Sequence, residues 1–159
     1  MINGVHHTSI STGNMDRLIA FYRDLLGVEV VFETTFDGPE IEAITALPGA
    51  KGRVAMLRSA NIHIELFEYA NPVPAPHVPN RPVSNQGLTH LCFDVTDLPA
   101  EYERLTAAGV EFHCPPIQLT RSVRTTYARD PDGNVIELQE ILTDKSAMAM
   151  NFEHSPMIN

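Results

Sequence analysis

Apolar residues change their period in a fixed order along the first part of the chain. VHHTSI at 5–10 alternates like a strand, and Met15, Leu18, Ile19, Tyr22, Leu25 and Leu26 then recur at helical spacing. Asn14 stands where an N-cap is wanted and Gly27 where a left-handed residue closes a helix. VEVVF at 28–32 returns to a β-type run. The same order comes back at 88–114, LTHLCFDVTDLPAEYERLTAAGVEFHC. There Asp97 caps, Pro99 suits a first turn, Leu98, Tyr102 and Leu105 form the buried stripe, and Gly109 is the stop. The ends of the two halves also match. RVAMLRSANIHIELFE at 53–68 and RTTYARDPDGNVIELQE at 124–140 each read strand, turn, strand, with Asp132-Gly133 favouring a tight hairpin.

The chain is therefore written twice, with a period of about 80 residues. Each half predicts β-α-β-β-β, and the fold class is α+β, built as two tandem βαβββ modules. The boundaries are 1–70 for the first module, 71–87 for a Pro-rich linker, 88–142 for the second module and 143–159 for a C-terminal tail, read as mobile or as a short covering helix. The first half carries roughly 11 extra residues within or near 33–52.

Composition narrows the function classes. A formal charge of −9 with no basic stripe argues against a nucleic-acid partner. No apolar run approaches the ~20 residues that span a bilayer, so no membrane partner is expected. The N-terminus lacks the basic patch and apolar core of a signal peptide, which makes a cytoplasmic location the expectation. Cys92 and Cys114 are too few for a disulfide framework and are read as reduced thiols.

The repeat also singles out chemistry. His7 matches His90, and Glu65 matches Glu137, all four inside strands rich in apolar or β-branched residues. A carboxylate on the inward face of a strand needs a partner, because burying a bare charge is costly. Two imidazoles and two carboxylates suit one divalent ion, Zn, Ni, Co, Mn or Fe(II), with two positions left open for a substrate that chelates through adjacent oxygens. A single such His or Glu would more often be a core or surface residue; the matched pairs are what favour the metal.

VHHTSI (5–10), FYRDLLGVEV (21–30), IHIELFE (62–68), LTHLCFDV (88–95) and RDPDGNVIELQE (129–140) together resemble the vicinal oxygen chelate superfamily. This group includes glyoxalase I, methylmalonyl-CoA epimerase, extradiol dioxygenases and bleomycin-resistance proteins. The resemblance covers nearly all of 1–142. It implies an open, cup-shaped mixed β-sheet with helices outside, and ligands from the first and last strand of each module. Those positions fall on His7, Glu65, His90 and Glu137. His6 competes with His7 for the first position; the match to His90 favours His7.

By the same resemblance, the complete four-ligand set implies a glyoxalase- or epimerase-like lyase or isomerase that moves a proton beside the carbonyl of a small molecule. Glu137 is then the first choice of base and Glu65 the opposite partner. An Fe(II) extradiol-type dioxygenase and a non-catalytic binder of the bleomycin-resistance kind remain the alternatives, and a homodimer is expected. Strand alternation places His63 and Phe67 on the face of Glu65, and Cys92 and Asp94 on the face of His90. His63 reads equally as an acid/base group, a substrate hydrogen-bonder or a satisfied pocket histidine; Cys92 reads as pocket lining. Tyr127 is counted with the pocket. Arg124, with its repeat partner Arg53 and nearby Arg121, reads either as a holder of an acidic substrate tail or as a solvated strand end. Glu33, Asp37, Glu40 and Glu42 read as a solvated acidic lid or as the source of an extra base.

Overall fold

A computed structural model of the chain describes residues 1–78 and 81–150. The chain divides into two compact units, Met1–Pro76 and His77–Asn151. In the first unit β1 (His7–Ser11) leads to helix α1 (Met15–Ala20), which runs on as a π-helical turn, Phe21–Leu25. Next come β2 (Glu29–Phe36), α2 (Pro39–Thr45), β3 (Lys51–Arg58) and β4 (His63–Asn71). The second unit repeats the plan with β5 (His90–Asp94), α3 (Leu98–Ala107), β6 (Ile117–Gln118), β7 (Val123–Arg129) and β8 (Val135–Ile141).

Each unit folds as the sequence pattern predicts, into one four-stranded mixed sheet. The strand orders are β1-β4-β3-β2 and β5-β8-β7-β6, with the first and last strands of each unit parallel. The extra residues of the first half are α2, inserted between β2 and β3; Pro39 opens it, and none of its residues is buried. The second unit departs from the plan at β6. Only Ile117 and Gln118 pair as a strand there, and Phe112 makes an isolated bridge to Ala128. Pro115 and Pro116 lie between these contacts and have no N–H to give a sheet ladder.

The core of each unit lies between its helix and one face of its sheet. Met15, Leu18, Ile19 and Tyr22 bury against the face of Ile64 and Leu66, and Leu98 and Leu105 against that of Ile136 and Leu138. The expected helix ends are present. Asn14 Oδ1 accepts from Arg17 N at 3.0 Å, Asp97 Oδ1 accepts from Ala100 N at 3.4 Å, and Gly27 and Gly109 take the left-handed conformation at φ 69° and 88°.

A second capping device was not visible in the sequence. Glu68, in the second half of β4, accepts a hydrogen bond from Met15 N, and Glu140, near the end of β8, accepts from Asp97 N and Leu98 N at 3.1 and 3.3 Å. Each carboxylate is also paired with the arginine across the strand pair: Arg53 Nη1 to Glu68 Oε2 at 3.1 Å, and Arg124 Nη1 to Glu140 Oε2 at 3.0 Å. Last strand and helix start are thereby tied in the same way in both units. Arg53 also binds Asp16 and Glu33, and its hydrogen bond and charge hold the Asp16 carboxyl below its ordinary range.

The C-terminal segment gives no covering helix among 143–150, which run through turns closed by Ser146 N to Thr143 O and Ala149 N to Ser146 O. The remainder of the expected tail, 151–159, lies outside the described residues.

Glu140→Ala removes both the cap and the ion pair, and costs about 2–3 kcal/mol, the size expected for hydrogen bonds to a shielded charge. Urea denaturation reads this as a lower midpoint at unchanged m. A loss under about 0.5 kcal/mol would show that the helix start does not depend on Glu140.

Candidate functional site

The face of each sheet away from its helix carries the residues of interest. In the first unit, parallel pairing sets His7 beside His63, Ser9 beside Glu65 and Ser11 beside Phe67. His7 Nε2 stands 3.5 Å from Glu65 Oε2. In the second unit His90 pairs with Val135 and Cys92 with Glu137, and His90 Nε2 stands 3.1 Å from Glu137 Oε2. The two units thus build the same His–Glu pair from the same strands. Both carboxylates are mostly shielded, with side-chain exposures of 18% and 13%.

The residue before each histidine holds the other ring nitrogen. His7 Nδ1 is 2.8 Å from His6 Nδ1, and His90 Nδ1 is 2.9 Å from Thr89 Oγ1. These contacts fix each ring with Nε2 toward the carboxylate. A cation on Nε2 requires the proton on Nδ1, and a hydroxyl such as Thr89 can turn from donor to acceptor to receive it. His6 lies just before β1, so strand alternation does not govern it. Its ring stacks on His63, centroids 5.0 Å apart, while His7 faces Glu65.

The other candidates separate by face. Phe67 stacks on Tyr69 and meets Phe36 edge-on, forming an aromatic group on the Glu65 side. Tyr127 lies opposite Glu137 in the β7–β8 register, with its ring 5.1 Å from His90. Burial and the Glu137 charge raise its phenol above the ordinary range. The Cys92 thiol is pushed up to about 12 by burial, then by the charge and hydrogen bond of Glu137 and by Asp94. Burial also raises the Asp94 carboxyl.

Arg124 is not brought to this group. It lies opposite Glu140, on the helix face of the sheet, because it stands three positions from Tyr127 and strand faces alternate at every position. Its guanidinium is engaged by Glu140, as that of Arg53 is by Glu68. Glu33 is likewise bound to Arg53, and Glu40 and Glu42 lie in the first turn of α2.

Two residues that the sequence reading passed over join the second pair. Thr125 Oγ1 donates to Glu137 Oε1 at 2.6 Å. His113 lies beside Tyr127, ring centroids 6.0 Å apart, and burial and then Arg129 lower its pKa. No signal short of the strand register points to either.

The chemistry of the donor set fits a divalent ion. Metal–ligand arms of about 2.1 Å place neighbouring donors about 3.0–3.4 Å apart, close to the spacing of both His–Glu pairs. Among the described residues no three His, Cys, Asp or Glu side chains gather into a ready ion site.

Residues 4–138 match the family model described as Glyoxalase/Bleomycin resistance protein/Dioxygenase superfamily. The chain belongs to that superfamily. Members include epimerases, lyases, dioxygenases and fosfomycin-resistance proteins. An uncharacterised protein of Escherichia coli K12, YaeR, is 32% identical, over 86% of this chain and 95% of its own length. A 2-epi-5-epi-valiolone epimerase of Actinomyces is 29% identical, over 84% of this chain and 77% of its own. The crystal structure of a glyoxalase family protein from Bacillus cereus superposes with a TM-score of 0.83 at 25% identity, covering 90% of this chain and 97% of that one. No helix among the described residues is long and apolar enough to cross a membrane.

The raised Cys92 thiol has a direct readout. In metal-free protein carrying Cys114→Ser, iodoacetamide modifies Cys92 at pH 8 at least about a hundredfold more slowly than an ordinary thiol, because the thiolate is the nucleophile. Glu137→Gln removes a neighbouring negative charge and speeds the reaction. An ordinary rate in the Cys114→Ser protein would show that the thiol is not perturbed.

Proposed function

We propose that the protein is a divalent-metal-dependent lyase or isomerase, moving a proton next to the carbonyl of a small molecule, with His7, Glu65, His90 and Glu137 as the metal donors. The observation that carries this reading is the repeated pair itself, Nε2 to Oε2 at 3.5 Å in one unit and 3.1 Å in the other. A first-unit carboxylate in the donor set distinguishes this reading from a dioxygenase with two histidines and one carboxylate. Similarity to an epimerase adds support for redox-neutral chemistry.

A bound divalent ion supplies Lewis acidity toward a carbonyl oxygen. The chain's own groups do the rest. His6 and Thr89 orient the two imidazoles. A glutamate carboxylate takes the proton from carbon and returns it, and its position beside the site makes the transfer short. Tyr127, kept as a neutral phenol, is available to donate a hydrogen bond to a substrate oxygen. Phe67, with Phe36 and Tyr69, offers apolar surface on the Glu65 side.

The working assembly is proposed as a homodimer, which sedimentation of a single species at twice the chain mass would support.

Calorimetric titration of metal-free protein with Mn(II) and Ni(II) tests the donor assignment. One ion binds per chain, and Glu65→Ala and Glu137→Ala each weaken binding by at least about tenfold. Two ions per chain, or undiminished binding in both variants, would remove the assignment. Turnover is then read by NMR, as deuterium exchange from D2O into the carbon beside the carbonyl across a panel of α-hydroxy and α-keto compounds. Exchange that persists after chelation would overturn the metal-dependent mechanism.

A further inference from the structure

The two His–Glu pairs agree in sequence and register but differ in what holds their carboxylates. Glu137 is fixed at both oxygens: Oε1 accepts from Thr125 Oγ1 at 2.6 Å, and Oε2 faces His90 Nε2 at 3.1 Å. The Thr125 hydroxyl has one proton to give, and of its two acceptors the Glu137 carboxylate is nearer than the carbonyl oxygen of Leu138, at 3.0 Å. The length of the bond to Glu137 is that of a charge-assisted O–H···O contact.

Thr125 stands opposite Gln139, two residues beyond Glu137. The corresponding place in the first unit, opposite Phe67 and two residues beyond Glu65, is held by Val54. Valine has the branched shape of threonine and no hydroxyl. Met56, directly across from Glu65, has no donor either. Among the described residues the hydrogen-bonding or ion-pair partner of Glu65 is His7 Nε2, at the longer distance of 3.5 Å.

We infer that Thr125 is a positioning residue that locks Glu137 as the permanent carboxylate donor, and that Glu65 is the carboxylate left free to exchange and to carry the proton. The inference rests on the metal-dependent reading above and reverses the roles that the family resemblance implies, in which Glu137 is the first choice of base. Restraint decides between two otherwise equivalent groups. A carboxylate that carries a proton to and from the substrate has to turn, and one held by a neighbouring hydroxyl is restrained from turning. In the step this assigns, the C–H bond beside the carbonyl breaks and its electron pair passes into the carbonyl as an enolate. The proton rests on Glu65 and is delivered back to carbon, so Glu65 ends as it began.

Mn(II) binding to the full chain, measured by calorimetry, tests this without a substrate. Thr125→Val weakens Mn(II) binding about 10- to 100-fold, the usual effect of losing a group that orients a ligand, while Thr125→Ser restores it. Both variants keep the wild-type melting temperature within a few degrees, which separates orientation from loss of fold. Glu137→Gln weakens binding more than Glu65→Gln does. Val54→Thr, which supplies the missing hydroxyl, tightens binding. Wild-type affinity in Thr125→Val, or a larger loss in Glu65→Gln than in Glu137→Gln, would overturn the assignment. If the wild-type chain binds Mn(II) and the two glutamine variants are equal, the functional reading stands and this assignment falls. Absence of binding by the wild-type chain to both Mn(II) and Ni(II) overturns both.

Discussion

Parallel pairing of the first and last strand in each unit is the constraint on which the rest depends. Parallel neighbours cannot be joined by a tight turn, so the chain must cross over between them, and the helix with the two intervening strands is that crossover. The pairing also brings two residues distant in sequence onto one face, His7 with Glu65 and His90 with Glu137. A slip of one residue would send each glutamate to the helix face, among buried leucines and isoleucines, where an unpaired charge is costly. The aliphatic core on one face therefore sets the polar pair on the other.

The arginine–glutamate ties serve the same geometry from behind. Glu68 and Glu140, on the last strands, receive the first amides of the helices, so helix and strand are fixed to each other next to the chemical face. Arg53 and Arg124 complete the charge balance. Arginine suits this place because its planar fork can meet several carboxylate oxygens together, as Arg53 does with Asp16, Glu33 and Glu68.

Much of this was legible in the sequence, because duplication offers an internal comparison. Alternating and helical periods give the elements, and the matched His and Glu positions stand out against a background that has otherwise diverged. What was not legible depends on cross-strand register. The charge of Arg124 and its repeat partner suit either a pocket residue or a solvated strand end. Its face is set by the register of the β7–β8 hairpin, which an Asp130–Asn134 turn fixes through hydrogen bonds to the Asp130 carboxylate. Thr125 is one of two adjacent threonines, and only the register shows which of them meets Glu137. The insertion that the repeat places within 33–52 is α2, at Pro39–Thr45. Its helical content is not legible in the sequence, since its exposed sides leave a weak apolar period.

The difference between Val54 and Thr125 has a historical consequence. A single-module ancestor that paired with a copy of itself would carry every substitution in both members at once. Whatever steadied one carboxylate would have steadied its twin, and perfect symmetry would have been enforced by the gene. Joining two modules in one chain lifts that coupling, because each half then mutates alone. The methyl on one side and the hydroxyl on the other are a difference that two identical paired modules could not carry.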